Sequence, residues 1–106
     1  MTTVVVNAGA CGFMSTINAD KKTGKVVAVT LETDCEMVRS MQQDVAELDR
    51  FAVLAGFDNN PVFKSAARCL KHPACPVPSA ILKAIEVEAG MNVCKDALIV
   101  FKKKGA

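Results

Sequence analysis

Apolar residues recur at every second position up to Leu31 and at every third or fourth position beyond it, so one chain carries two folding instructions in sequence. Side chains alternate across a strand and repeat every 3.6 residues around a helix, so the change of period marks a strand-rich first third and a helical remainder. Residues 3–7 (TVVVN) are β-branched and run into the punctuating AGACG stretch around Gly9 and Gly12. Phe13 to Asn18 alternate, Ala19 to Lys25 carry turn chemistry centred on Gly24, and Val26 to Glu32 alternate again. This pattern predicts a first strand followed by a β-hairpin, with Phe13, Ile17, Val27, Val29 and Leu31 on one buried face.

After Leu31, Thr33 and Glu36 have the spacing of a capping box, and Val38, Met41, Val45, Leu48 and Ala52 fall on one helical face. A helix from about Cys35 to Leu54 is expected, stopped by Gly56. Asn60-Pro61 starts a second, short helix to about Cys69, with a cap just ahead of a first-turn proline. Three prolines make KHPACPVP an irregular loop of fixed shape. A third helix over Ser79–Ala89 buries Ile81, Leu82 and Ile85 and ends at Gly90, and Ala97 to Phe101 reads as a last strand. The expectation is one α+β domain over residues 1–106. A small, mainly antiparallel sheet packs against helices in the order β-β-β-α-α-α-β.

Composition removes several classes of function. A hydrophobic fraction of 51% and a charged fraction of 23% are ordinary for a globular domain of 106 residues. Five Phe with no Trp or Tyr, and a net charge of only +2, argue against nucleic acid as a partner. The dense basic run Lys102 to Lys104 reads as a solvated tail. No apolar run approaches the ~20 residues that cross a bilayer, and the first residues lack a basic secretory n-region, so a cytoplasmic protein is expected. GxSxG, P-loop, GxGxxG and HExxH patterns are missing, and Asp44, Glu47 and Asp49 read as a solvated helix face, so no enzyme motif has positive support.

Five cysteines are poor disulfide material in a reducing compartment, and the odd count points to metal ligation, reactive thiols or plain burial. Four of them stand at expected element boundaries: Cys11 in the glycine loop, Cys35 at a helix start, Cys69 at a helix end and Cys75 before the last helix. Helix N-termini favour thiolates, and thiolates are what metals bind. The glycines beside Cys11 let backbone amides approach a ligand, and the prolines beside Cys75 hold a ligand loop rigid. Cys69, His72 and Cys75 are spaced by two residues each, with Pro76 following Cys75. The paired CxxC of a zinc ribbon is absent. Cys94 lies outside this pattern.

The stretch CGFMSTINADKKTGKVVAVTLETDC, from Cys11 to Cys35, resembles the core of the U-type iron-sulfur cluster scaffold (NifU/IscU-like) family. There a Cys-Gly pair opens a hairpin whose second strand leads into a cysteine capping a helix. CLKHPACPVPSAILKAIE resembles that family's third-cysteine segment. The resemblance implies the NifU/IscU-like fold, an iron-sulfur cluster held by Cys11, Cys35 and Cys75, and protein partners in cluster assembly or delivery. Phe13 stands where the family has an acidic residue, and Ala74 where it has a histidine. Cys69 or His72 is then the candidate for the fourth ligand. Two other readings stay open, a structural zinc site serving protein interactions, and a thiol-dependent redox or small-molecule enzyme with Cys35 as nucleophile. If the ligand reading holds, the three sulfurs should surround a common point.

Overall fold

The β-branched opening run forms strand β1 (Thr2–Asn7), and the two alternating segments form β2 (Met14–Lys21) and β3 (Val26–Thr33). A computed structural model of the protein describes residues 1–103. Both pairings are antiparallel, with Val4 opposite Ile17 and Ile17 opposite Leu31. The register puts Val6, Ile17, Ala19, Val27 and Val29 on one buried face, as the alternation predicts. Phe13 departs from that expectation, because it lies in the loop ahead of β2 and stays exposed. The opposite face is polar, with Thr3, Asn18 and Glu32 joined across the strands by side-chain hydrogen bonds of 2.7 and 2.9 Å.

The long helix expected from Cys35 to Leu54 does not form. Its place is taken by α1 (Glu36–Arg39), α2 (Gln42–Val45), a short strand β4 (Glu47–Asp49) and α3 (Arg50–Val53). The cause is the outer edge of β3, which would otherwise leave backbone groups unpaired in a half-buried position. Glu47 to Asp49 pair antiparallel with Val26 to Ala28, completing the sheet order β1-β2-β3-β4. Beyond that point Val29 N–H donates to the Ala46 carbonyl. The Gln42 side-chain amide then stands in for a strand, accepting from Leu31 N–H at 2.6 Å and donating to the Val29 carbonyl at 2.8 Å. Thr33 is not a helix cap either. Its hydroxyl accepts from the Cys35 N–H, and Cys35 holds the N-cap position of α1 without a side-chain cap bond. The apolar stripe keeps its role regardless, since Val38, Met41, Val45 and Leu48 are all buried.

Helix α4 (Pro61–Cys69) begins as expected, with the Asn60 side chain accepting from Val62 N–H. Helix α5 (Val77–Glu88) packs its Val77, Ile81, Ala84 and Ile85 over β1 and β2. It ends in a Schellman motif, in which Met91 N–H reaches the Glu86 carbonyl, Gly90 N–H reaches that of Val87, and Gly90 takes a positive φ of 75°. The last strand expected over Ala97–Phe101 is not present, and those residues are exposed without a strand partner. The fold is therefore α+β, a four-stranded antiparallel sheet with helices on one face. No helix among the described residues is long and apolar enough to cross a membrane.

Glu88 fastens the end of α5 to the sheet. Its carboxylate accepts from Lys21 N–H at 2.9 Å and from the Thr2 hydroxyl at 2.7 Å. The Lys21 bond first, and the Thr2 bond after it, hold this carboxyl below the usual glutamate range. A carboxyl lowered in the folded state contributes stability that is present above its unfolded pKa and lost as pH falls through its folded one. Glu88→Gln should therefore melt below the wild type near neutral pH, and the gap should narrow as the medium is acidified below about pH 4. Melting curves of both proteins test this. A gap that stays constant into strong acid would show that the carboxylate charge contributes nothing.

Candidate functional site

Three cysteines from three different parts of the chain border one cleft of about 570 Å³. Cys11 comes from the loop between β1 and β2. That loop is shaped by a 2.9 Å bond from Gly12 N–H to the Gly9 carbonyl and closed by Ala8 N–H on the Phe13 carbonyl. Gly9 and Gly12 both have positive φ, a conformation that L side chains resist, so this glycine pair fixes how Cys11 is presented. Cys35 enters at the N-cap of α1 and is buried beside Val38, while Cys11 is exposed. α1 is a single turn, so the dipole that a long helix would aim at Cys35 is correspondingly small.

Cys75 arrives on the loop between α4 and α5. Its N–H donates to the His72 carbonyl at 3.1 Å, closing a turn with Pro73 at the second position, where a fixed φ suits it. One turn thus carries both His72 and Cys75 to the cleft. His72 is also the single histidine of the sequence.

The remaining lining is apolar and includes Phe13, Met37, Val38 and Leu70, with no carboxylate, lysine or arginine among the residues that border the cleft. Its polar chemistry is therefore thiol and imidazole alone. That donor set matches soft or borderline metals, such as zinc and iron in sulfur-rich sites, and poorly suits calcium or magnesium, which take oxygen. Among the described residues, no three His, Cys, Asp or Glu side chains stand close enough to form a closed ligand group. The expectation that the three sulfurs surround a common point is not met: they border one cleft, but no three such donors among the described residues stand as a ligand group.

Cys69 and Cys94 lie elsewhere. The Cys69 sulfur faces Asp44 of α2, 4.0 Å from Oδ2, where Ser65 also donates at 2.6 Å and Arg68 forms an ion pair. The Ser65 hydroxyl, and after it Arg68, hold the Asp44 carboxyl below the usual range against a desolvation that pulls the other way. Asp44 is thus a link between α2 and α4 and not the solvated residue its sequence position suggests. Cys94 is exposed in the segment after α5. Phe13 and Leu70 are cleft residues that sequence reasoning did not place there. Leu70 follows the last residue of α4 and carries no periodic signal, and the alternation that continues from Phe13 into β2 points to the sheet core instead.

The profile of a family of unknown function (DUF6951) matches residues 2–101. No curated protein and no solved structure matches the chain.

Proposed function

We propose that this chain, which belongs to the DUF6951 family, binds an iron-sulfur cluster or a single soft metal ion through Cys11, Cys35 and Cys75. His72 is the fourth donor within the same cleft, and the setting is the reducing cytoplasm. One observation carries the reading. Three thiols and the only imidazole of the sequence, drawn from three separate segments, border one cleft that holds no other ionisable side chain. Cys35 belongs to the core and Cys75 packs against it, but burial does not account for the exposed Cys11, a third thiol on the same cleft. The resemblance of Cys11–Cys35 to the U-type scaffolds favours a cluster over zinc, and assembly or delivery of that cluster to a protein partner as its use.

Binding requires Cys11 to move toward Cys35 and Cys75. Cys11 is exposed on a loop whose two glycines lack the Cβ that restricts other residues, so the backbone there is the part of the cleft best able to adjust. Phe13, in place of the acidic residue of the scaffolds, adds an apolar wall and keeps carboxylate oxygen out of the donor set.

Anaerobic purification followed by iron, sulfide and zinc analysis, with a visible absorption spectrum, tests the reading. About stoichiometric iron with sulfide and a brown colour is the expected result, and stoichiometric zinc would select the structural-metal alternative. Protein that stays metal-free after anaerobic reconstitution with ferrous iron and sulfide, and after zinc addition, would overturn metal binding and leave thiol chemistry at Cys35 as the reading to pursue.

A further inference from the structure

The two edges of the sheet are treated very differently. β4 at one edge is three residues long and carries Glu47 and Asp49, the short and charged design by which edge strands avoid pairing with other chains. β1 at the other edge is six residues long, TTVVVN, with no charge, no proline and no bulge in its register with β2. Its outward Val5 is 62% exposed. A long, uncharged, β-branched edge of this kind is a template for a further strand.

The same chain carries a strand-forming segment with nothing to pair with. Leu98, Ile99 and Phe101 are 85%, 86% and 94% exposed, and Val100 beside them is also exposed. The run is bounded by Lys95-Asp96 on one side and Lys102-Lys103 on the other, charges that confine any pairing to the five residues 97–101. Four consecutive large apolar residues held in water are costly unless they have a partner surface.

We propose that residues 97–101 of one copy pair with the free edge of β1 in a second copy, and reciprocally, to give a two-fold dimer in which each sheet gains a fifth strand. The placement of α5 favours this occupant. Glu88 ties the end of α5 to Thr2, at the start of β1, so the segment leaves its own copy beside the very edge that would face the partner. Residues 91–96 then span at most about 20 Å, enough to cross to a neighbouring β1. The segment does not lie on its own β1, and a second copy supplies donor and acceptor together, which closes the assembly at two copies and covers the β1 edge of each.

Sedimentation equilibrium and hydrogen exchange on the full chain test this. The wild type should sediment at about twice the chain mass at roughly 50 µM, with amides of both β1 and residues 97–101 protected. Ile99→Pro removes a backbone donor from an exposed residue that lies in no helix or strand of its own domain, so the variant should keep its circular dichroism, sediment as a monomer and lose protection in β1. Val5→Lys, which adds the charge that guarded edges carry, should weaken the dimer at least tenfold. Three results would each overturn the proposal: a monomeric wild type, a dimer indifferent to both substitutions, or a monomer whose residues 97–101 are protected by pairing with their own β1.

Discussion

Asn60→Ala should lower stability by about 3 kcal/mol, and the melting temperature by roughly 10–20 °C, because one side chain closes three backbone segments at once. Asn60 is only 2% exposed. Its Oδ1 accepts from Val62 N–H at 3.0 Å, capping α4, while its Nδ2 donates to the Val53 carbonyl at 2.6 Å and to that of Gly56 at 2.8 Å. Loss of the cap alone costs about 1 kcal/mol, the buried Val53 carbonyl left unpaired adds about 1 kcal/mol or more, and the lost bond to the more exposed Gly56 carbonyl adds up to about 1 kcal/mol. Against a total stability of about 5–15 kcal/mol this is a large fraction.

A series of substitutions separates the two contributions. Asn60→Ser keeps a cap oxygen but loses the amide donors, so it should fall between the wild type and alanine. Asn60→Asp keeps the cap and turns a second oxygen toward two carbonyls, and should be at least as unstable as alanine near neutral pH. Its carboxyl would be pushed up in the folded state, so the deficit should shrink on acidification, when a protonated acid can donate to one carbonyl. Chemical denaturation of the four proteins gives the ranking. Serine and alanine both within about 0.5 kcal/mol of the wild type would show that the network contributes little.

Asn60 also illustrates what the sequence discloses and what it withholds. Asn-Pro ahead of an apolar run is a local signal, and the cap of α4 is legible from it. The donors to Val53 and Gly56 depend on where α3 ends, and α3 was hidden inside an expected twenty-residue helix. Val38, Met41, Val45 and Leu48 fit a helical stripe, yet their burial is equally served by two single-turn helices and a strand. Only the demand of the β3 edge for partners decides between these. That demand is met by Gln42 and by residues 47–49, far from β3 along the chain, so no local periodicity reports it.

Ala97 to Phe101 failed in the opposite direction. The composition is that of a strand, but a strand exists only where an edge receives it. The cleft was legible through a different signal, the placement of cysteines at element boundaries. Cys11, Cys35 and Cys75 line one cleft without forming a ligand group, and Cys69 does not line it, because the helical phase of α4 turns Cys69 toward Asp44.

Cys35→Ser should reduce metal or cluster retention by more than about 100-fold, since loss of a residue that only orients a ligand already costs about 10- to 100-fold. The substitution nearly preserves volume but replaces a soft sulfur with a hydroxyl that stays protonated at neutral pH. The fold should survive, because serine keeps nearly the same volume at the edge of the core beside Val38 and the Gln42 bonds to β3 do not involve that sulfur. Cys11→Ser and Cys75→Ser should behave alike, while His72→Ala should lose less, as solvent or another donor fills one position. Cys69→Ser and Cys94→Ser should leave retention unchanged, one sulfur facing Asp44 and the other lying on the exposed segment after α5. Iron, sulfide and zinc content measured after identical anaerobic reconstitution, with circular dichroism to confirm folding, distinguishes these outcomes. Unfolding of all three cleft variants together would identify the metal as a folding staple, since binding energy is then folding energy. Equal metal content in Cys11→Ser, Cys35→Ser and Cys75→Ser and the wild type would refute the site, and loss in Cys69→Ser instead would move it to the α2–α4 contact.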